Sequence, residues 1–517
     1  MSIAPPAAPA APRVRTSAPP VRRTATVRVE RRRAPDAAWQ GAVLAATALV
    51  LAVGGAWHEP WFDEAQAWLL ARDSGPWDLL AHRLRHEGSP GLWHLLLMPF
   101  AHAGLPYRTI SVVSAVIALI GCAVFVRRAP FPPVVRALLP LSYFTAFQFG
   151  VVARSYVLVA PLLWVAVLCR PARMRRPLPM AVALALLANV SVHGAIIAGC
   201  WWGLHLLDVR RVWWRLDDAT RRAQIQATVV VAIAGAVVVA VVWPPADLQG
   251  GGGFHVAPAA MLGALGELWM SLPVAPVLVP TVAVGCWWLH RVRRLALFAL
   301  PAGVLLAFYL VRYFSPWHAG ILPLLLVAAI WAARQDGVAS TRQDARAWLA
   351  ACCALTVGLA AQVSWTVAAL AYDRGHSYSA ARATADLVRS LRSEGRTVAA
   401  MRMWTVALHP YFETSPFIDW REASGKTFYP WAFHDWPFPD DLSVLAARPD
   451  VIVFGVEVRS PRRVPCFDGY RVDRILQGAV SVGGRAWETE SYVIFTRLDG
   501  PTPPRPGGAS CALLAPN

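Results

Sequence analysis

Trp57-His58-Glu59-Pro60-Trp61-Phe62-Asp63-Glu64-Ala65-Gln66-Ala67-Trp68 follows directly on the first strongly apolar stretch of a 517-residue chain. Adjacent carboxylates at that boundary point to chemistry at a membrane surface, with Asp63 and Glu64 opening a helix after Pro60. The rest of the chain agrees with that setting. Hydrophobic residues make up 56% and charged residues only 15%, with 24 tryptophans, which is the composition of a polytopic membrane protein rather than a soluble enzyme. The net charge of +18 comes from arginines in short clusters between apolar runs. That pattern sets membrane topology and does not form the single basic face of a nucleic-acid binder.

Working outward from the quoted segment, residues 1–37 are Pro/Ala-rich and basic, ending in Arg31-Arg32-Arg33. They read as a disordered cytoplasmic tail, too long before the apolar run to be a signal peptide. A span over about 38–56 then carries the chain outward, and 57–106 forms an external loop. Its apolar piece Gly91–Gly104 is too short to cross and is expected to lie at the interface. Spans over about 108–126, 134–151 and 155–169 follow. A hairpin over 178–208 has His193 near its tip, and spans over about 226–243, 271–289, 295–313, 316–333 and 347–370 complete eleven. Each needs about 20 apolar residues, and with this count the clusters at Arg127/Arg128, Arg170–Arg176, Arg210/Arg211 and Arg291–Arg294 all fall inside.

Two other external segments are predicted. The stretch 244–270 holds Gly250-Gly251-Gly252-Gly253 and His255 and suits a mobile loop on the membrane. From 372 onward a helix (about 379–394) and strands at Thr397–Met401, Asp450–Val456 and Ser491–Arg497 predict a small α/β domain outside the membrane. Cys466 and Cys511 lie in that domain, either as a disulfide or as two thiols, while the other six cysteines fall in spans. Trp404, Trp420, Trp431 and Trp436 there are either core residues or platforms for sugar rings, core being favoured. No zinc spacing, phosphate-binding glycine loop or serine nucleophile elbow is present.

The polar candidates collect at one membrane level: Asp63 and Glu64, then Glu87, His94, Arg154, His193, His255 and Arg312. Group transfer from a membrane-bound phosphate carrier needs a carboxylate that takes a proton and cations that hold phosphate, and arginine binds phosphate oxygens bidentately. Singly, each has a structural reading: acids complement a helix dipole, arginines snorkel to the interface, and a histidine satisfies backbone at a hairpin.

Phe62-Asp63-Glu64, Glu87-Gly88-Ser89-Pro90-Gly91-Leu92, Tyr107-Arg108, Ala153-Arg154-Ser155-Tyr156, Val192-His193-Gly194 and Val311-Arg312-Tyr313 occur in an order that resembles the GT-C membrane glycosyltransferases. The protein mannosyltransferases and lipid A aminoarabinose transferases are the types most similar, over about residues 38–335. The resemblance implies a GT-C-like helical fold and a sugar donor on polyprenyl phosphate, used on the external face of the bacterial cytoplasmic membrane with inversion. It implies an envelope glycan or lipid acceptor. It assigns Asp63 as general base, with Glu64 assisting or positioning. Glu87, Arg154, His193, His255, Arg312 and Tyr313 become the substrate-binding candidates, Arg154 and Arg312 for phosphate. The chain departs from the family in three places. Ser155–Ala160 contains no acid where members often carry one, which speaks against a divalent metal; no other cofactor is implied. Ser89 replaces a usual histidine, and Ala65-Gln66-Ala67-Trp68 is not the common aromatic pattern. A transporter or flippase of lipid-linked sugars would instead need polar residues along a mid-membrane path. A non-catalytic envelope scaffold would need only the C-terminal domain.

Overall fold

The computed structural model describes residues 35–248, 257–272, 275–337, 342–418, 426–432, 441–458, 462–498 and 506–514. The basic segment 1–37 expected as a tail lies almost entirely outside the described residues, as do His255, Trp420 and Trp436. The first helix, α1 (Pro35–Trp57), starts on a proline, whose fixed φ suits a first turn. It stops before His58-Glu59-Pro60, where Pro60 disfavours helix at the residue preceding it. The second, α2 (Phe62–Asp73), carries Asp63 and Glu64 in its first turn. After intervening short helical turns, α3 (Leu92–His102) is 11 residues long and too short to cross a bilayer, in keeping with an interfacial Gly91–Gly104.

The chain is a polytopic helical membrane protein. Among the described residues eight helices are long and apolar enough to span, and Pro258–Ser271 with Ala275–Arg291 forms a further pair bent by 96°. Leu178–Ala188 and Ala296–Val311 are apolar but shorter. Together these occupy the segments expected as eleven spans, with three differing from ordinary full-length helices. The hairpin is tight: Asn189–Ser191 turns the chain, and the Ser191 hydroxyl accepts from the Gly194 backbone N–H at 3.1 Å, capping the helix that carries His193. The helices are not equivalent. The window within Pro316–Gln335 is 89% buried and forms the centre of the bundle, whereas that within Asp218–Val242 is 22% buried and leaves its apolar face for lipid.

Beyond the last span (Arg342–Gly375) the chain forms a five-stranded sheet with strand order β1 (Val398–Met401), β2 (Val451–Val458), β6 (Arg485–Arg497), β4 (Tyr470–Leu476). In it β5 (Val480–Val482) pairs with β6. Strands β1 and β2 are parallel and the others antiparallel. A separate two-stranded sheet joins β3 (Arg462–Phe467) to β7 (Pro506–Leu514). Side chains alternate across β6: Val493 and Phe495 pack with Phe454 and Phe467, whereas Tyr492 and Ile494 join the core of the helical region. The docking depends on a two-residue turn, Gly483-Gly484, with φ of +61° and +80°. A Cβ on Gly483 would come within 2.3 Å of Trp365, so glycine is required both by the turn and by the approach. The Gly483 N–H donates to the Tyr143 hydroxyl at 3.0 Å, tying sheet to bundle. Cys466 is disulfide-bonded, the six helical-region cysteines are free, and the side chain of Cys511 lies outside the described residues.

Candidate functional site

Asp63 and Arg154 form an ion pair, Nη2 to Oδ2, at 2.8 Å. They come from segments 91 residues apart, the first turn of α2 and the break between the spans Pro133–Val151 and Ser155–Ala172. A second contact runs beside the first. The Ala153 backbone N–H, next to Arg154, donates to Glu64 Oε1 at 2.7 Å, so two neighbouring residues on each segment make two parallel rungs. The ion pair is thereby held by a buried backbone contact. Burial pushes the Asp63 carboxyl above its ordinary range against the pull of Arg154, with the Glu64 charge adding to the rise.

Glu64 has no exposed surface, and besides Ala153 it accepts from the Trp61 N–H at 3.2 Å and from His58 Nε2 at 2.9 Å. With three donors on its two oxygens, Glu64 is committed to structure. Its place in the sequence next to Asp63 suggested a shared catalytic role; its geometry is that of a positioning group.

The Arg154 guanidinium stands over three rings, Trp317 at 4.9 Å, Tyr156 at 5.3 Å and Trp61 at 5.8 Å. Its Nη1 is buried with no hydrogen-bond partner. Beyond Tyr156 lies His193, with ring centroids 5.9 Å apart, and the His193 ring lies 4.4 Å from that of His318, tilted by 38°. Both ring nitrogens of His193 are buried and without hydrogen-bond partners, whereas His318 faces the Tyr156 hydroxyl at 2.9 Å and accepts from the Ser315 N–H at 3.0 Å. Tyr313 is half exposed and packs edge-on to His318 at 5.2 Å, with its hydroxyl accepting from Ser315 Oγ at 2.7 Å. Arg312, at the end of helix Ala296–Val311, is partly exposed, and its side chain makes no hydrogen bond or ion pair among the described residues.

Glu87 reaches the same region through Gln66, whose Nε2 donates to Glu87 Oε1 and to the Tyr429 carbonyl, each at 2.6 Å. Burial pushes Glu87 up to about 8, the Gln66 hydrogen bond opposing the rise and the Asp63 charge adding to it. Glu87 also lines a cavity of about 400 Å³ bounded by His82, Arg85, His86, Asp247 and Phe428; Asp63 and Arg154 are not in its wall. Among the described residues no group of three or more His, Cys, Asp or Glu side chains is placed to hold a metal ion.

Several site residues had escaped the sequence reading. Glu490 of β6 accepts from the Phe62 N–H at 2.7 Å, the Ser379 hydroxyl at 2.6 Å and the Tyr492 hydroxyl at 3.1 Å. Burial pushes it up to about 8 against those bonds. It holds the N-terminus of α2 from the C-terminal sheet, and Trp404 and Trp431 pack around Phe62 at 4.8 and 6.3 Å. The available signal was the pair of acids Glu488 and Glu490 inside an otherwise strand-like run. His58 lay inside the opening segment but was not singled out, and Trp317 and His318 sat beside the expected Arg312-Tyr313.

No family profile and no curated protein sequence matches the chain. Among solved structures, ArnT from Cupriavidus metallidurans in the apo state is similar with a TM-score of 0.54 at 15% identity, covering 90% of this chain and 100% of that one. The crystal structure of the same protein bound to undecaprenyl phosphate gives 0.46 at 13% identity, over 90% and 99%. The likeness to the apo structure shows an ArnT-like fold: a polytopic helical membrane protein with a small C-terminal α/β region.

Proposed function

We propose that this protein is a glycosyltransferase that moves a sugar from a polyprenyl-phosphate carrier to an envelope glycan or lipid acceptor, with inversion at the anomeric carbon. The observation that carries the reading is the Asp63–Arg154 pair at 2.8 Å, with one guanidinium nitrogen buried and unpartnered beside it. Such a nitrogen is oriented for an oxyanion, and a phosphate entering there competes with Asp63 for the guanidinium. Asp63, already raised by burial, then loses its cation and becomes a stronger proton acceptor for the acceptor hydroxyl. As the sugar–phosphate bond breaks, the charge left on phosphate is taken by Arg154, with Arg312 as the second cation and His193 and Tyr313 as polar neighbours. Glu87 and the cavity beside it offer room for sugar or acceptor.

The ArnT-like fold supports this reading, as does the order of motifs that resembles the GT-C membrane glycosyltransferases. The N-terminus and the Arg170 end of the bundle are then cytoplasmic, and the sheet lies outside the bacterial cytoplasmic membrane. Purified full-length protein in nanodiscs, given a polyprenyl-phosphate-linked sugar and lipid extracts as acceptor, tests it. The Asp63→Asn variant should remain folded and inserted while transfer is lost. Undiminished transfer by that variant removes Asp63 as base, and absence of any sugar transfer by the unaltered protein across donor sugars removes the reaction.

A further inference from the structure

We propose that His58 is a positioning residue for this site, clamping Glu64 and Asp373 together so that the Asp63–Arg154 pair is aligned from the outer end of the last transmembrane helix. The proposal rests on the transferase reading for what is aligned, and on geometry alone for the clamp. His58 lies between the end of α1 and Pro60 with no exposed surface. Its Nε2 is 2.9 Å from Glu64 Oε2, and its Nδ1 is 3.2 Å from Asp373 Oδ2, 315 residues away. All three side chains are 0% exposed.

A neutral imidazole has one N–H, so it can satisfy one of two flanking carboxylates, whereas an imidazolium donates to both. Burial by itself favours the neutral ring, but Glu64 and Asp373 outweigh it and push His58 up to about 10. The second oxygen of Asp373 is buried without a partner, so His58 supplies the hydrogen bond that carboxylate has. Tyr378 packs edge-on against the ring at 4.5 Å and closes the site from the segment after the helix.

The consequence reaches Asp63 through covalent neighbours. Glu64 Oε2, fixed by His58 and the Trp61 N–H, leaves Oε1 aimed at the Ala153 N–H. Since Asp63 precedes Glu64 and Arg154 follows Ala153, the orientation of Glu64 sets the spacing of the ion pair at 2.8 Å. Asp373 connects the same chain to the helix Arg342–Gly375, beyond which Glu490 of the sheet, itself held by the Ser379 hydroxyl, accepts from the Phe62 N–H. Displacement of that helix end is thereby transmitted to the base.

The test uses full-length protein in nanodiscs. His58→Gln alone leaves Asp373 as an unpaired buried carboxylate and can fail to fold; the double variant His58→Gln/Asp373→Asn removes one positive and one negative charge, keeps the net charge of the cluster, and retains a donor toward Glu64. Local hydrogen exchange is followed over 59–66 and 151–156, together with melting temperature and with undecaprenyl phosphate binding read by tryptophan fluorescence. The clamp predicts exchange of the Trp61 and Ala153 amides at least about tenfold faster at an unchanged melting temperature, and undecaprenyl phosphate affinity about fivefold weaker. Exchange as slow as in the unaltered protein overturns it, and so does loss of protection throughout the bundle, which would make His58 a global stabiliser. A wild-type protein that gives no response to undecaprenyl phosphate counts against the donor reading instead, while the exchange result still decides the clamp.

Discussion

The two ends of the helical bundle each hold a buried or half-buried aspartate against arginine, and the two behave oppositely. A 20-residue helix, Pro316–Gln335, about 30 Å long, separates them. At one end Trp317 lies under Arg154, which pairs with Asp63. At the other, Asp336 takes three guanidinium groups, Arg294 at 3.0 Å and Arg170 and Arg173 at 3.1 Å, and Arg173 continues to Asp208 at 3.3 Å. Burial raises both aspartates, but three cations outweigh it at Asp336 and hold that carboxyl below its ordinary range. One cation does not outweigh it at Asp63. The same residue type is thus held below its ordinary range where three cations surround it and raised where burial and a neighbouring acid, Glu64, outweigh a single cation.

The sharpest way to break this contrast is to neutralise both aspartates in parallel. Asp63→Asn should lower transfer by about 10²–10⁴-fold without loss of folding, the range of a general base. Asp336→Asn should leave the turnover of folded molecules unchanged and destabilise by about 3–5 kcal/mol, because it removes the shared partner of three buried or half-buried guanidinium groups, of which, among the described residues, Arg173 alone keeps a second carboxylate, Asp208. The pattern is wrong if turnover per folded molecule falls equally in both. Arg154→Lys comes next, with transfer reduced by about 10²-fold, since a point charge replaces a planar fork. Arg170→Lys at the anchor should show no such loss in a steady-state assay.

pH should unfasten the two ends from opposite directions. His58, raised to about 10, contributes stability that is complete below its unfolded value near 6.5 and is lost as pH rises through about 10. Glu490, raised to about 8, acts with the same sign, its stabilisation by proton uptake fading as pH rises through that value. Asp336 contributes stability present above the ordinary carboxylate range and lost as pH falls through its lowered value. Hydrogen exchange should therefore rise first around 58–66 in alkali and around 168–174 and 332–337 in acid; simultaneous opening at either extreme would erase the distinction. The smallest effect is expected from Glu490→Gln, which keeps the shape of a carboxylic acid already protonated near neutrality and should change melting by less than about 1 kcal/mol. Glu490→Ala, which leaves the Phe62 N–H and Ser379 hydroxyl unsatisfied, should cost about 1–3 kcal/mol.

Much of this contrast was legible from residue order. Positive clusters between apolar runs placed Arg170 and Arg294 together at one end and Arg154 at the other, and the contacts around Asp336 and Asp63 gather them in that way. The α/β region was legible through β1, β2 and the end of β6, where apolar residues run continuously; β3, β4, β5 and β7 were missed because polar residues and glycines interrupt them. Glu64 could not be distinguished from Asp63 in sequence, since neighbouring residues in a first helical turn differ by about 100° of rotation and only packing decides which one meets solvent. That rotation puts Glu64 on the buried backbone of Ala153 and Asp63 on Arg154.

The sequence by itself determined the solvent of this protein, its apolar segments and the end of the bundle at which Asp63, Glu64 and Arg154 lie. These follow from composition, apolar length and charge order, which act locally along the chain. Only the tertiary structure decided that Glu64 is a fastener, that Glu490 reaches Phe62 across 428 residues and that His58 joins Glu64 to Asp373 across 315. Those contacts depend on which buried carboxylates find donors once water is excluded, a condition that exists only after distant segments have packed.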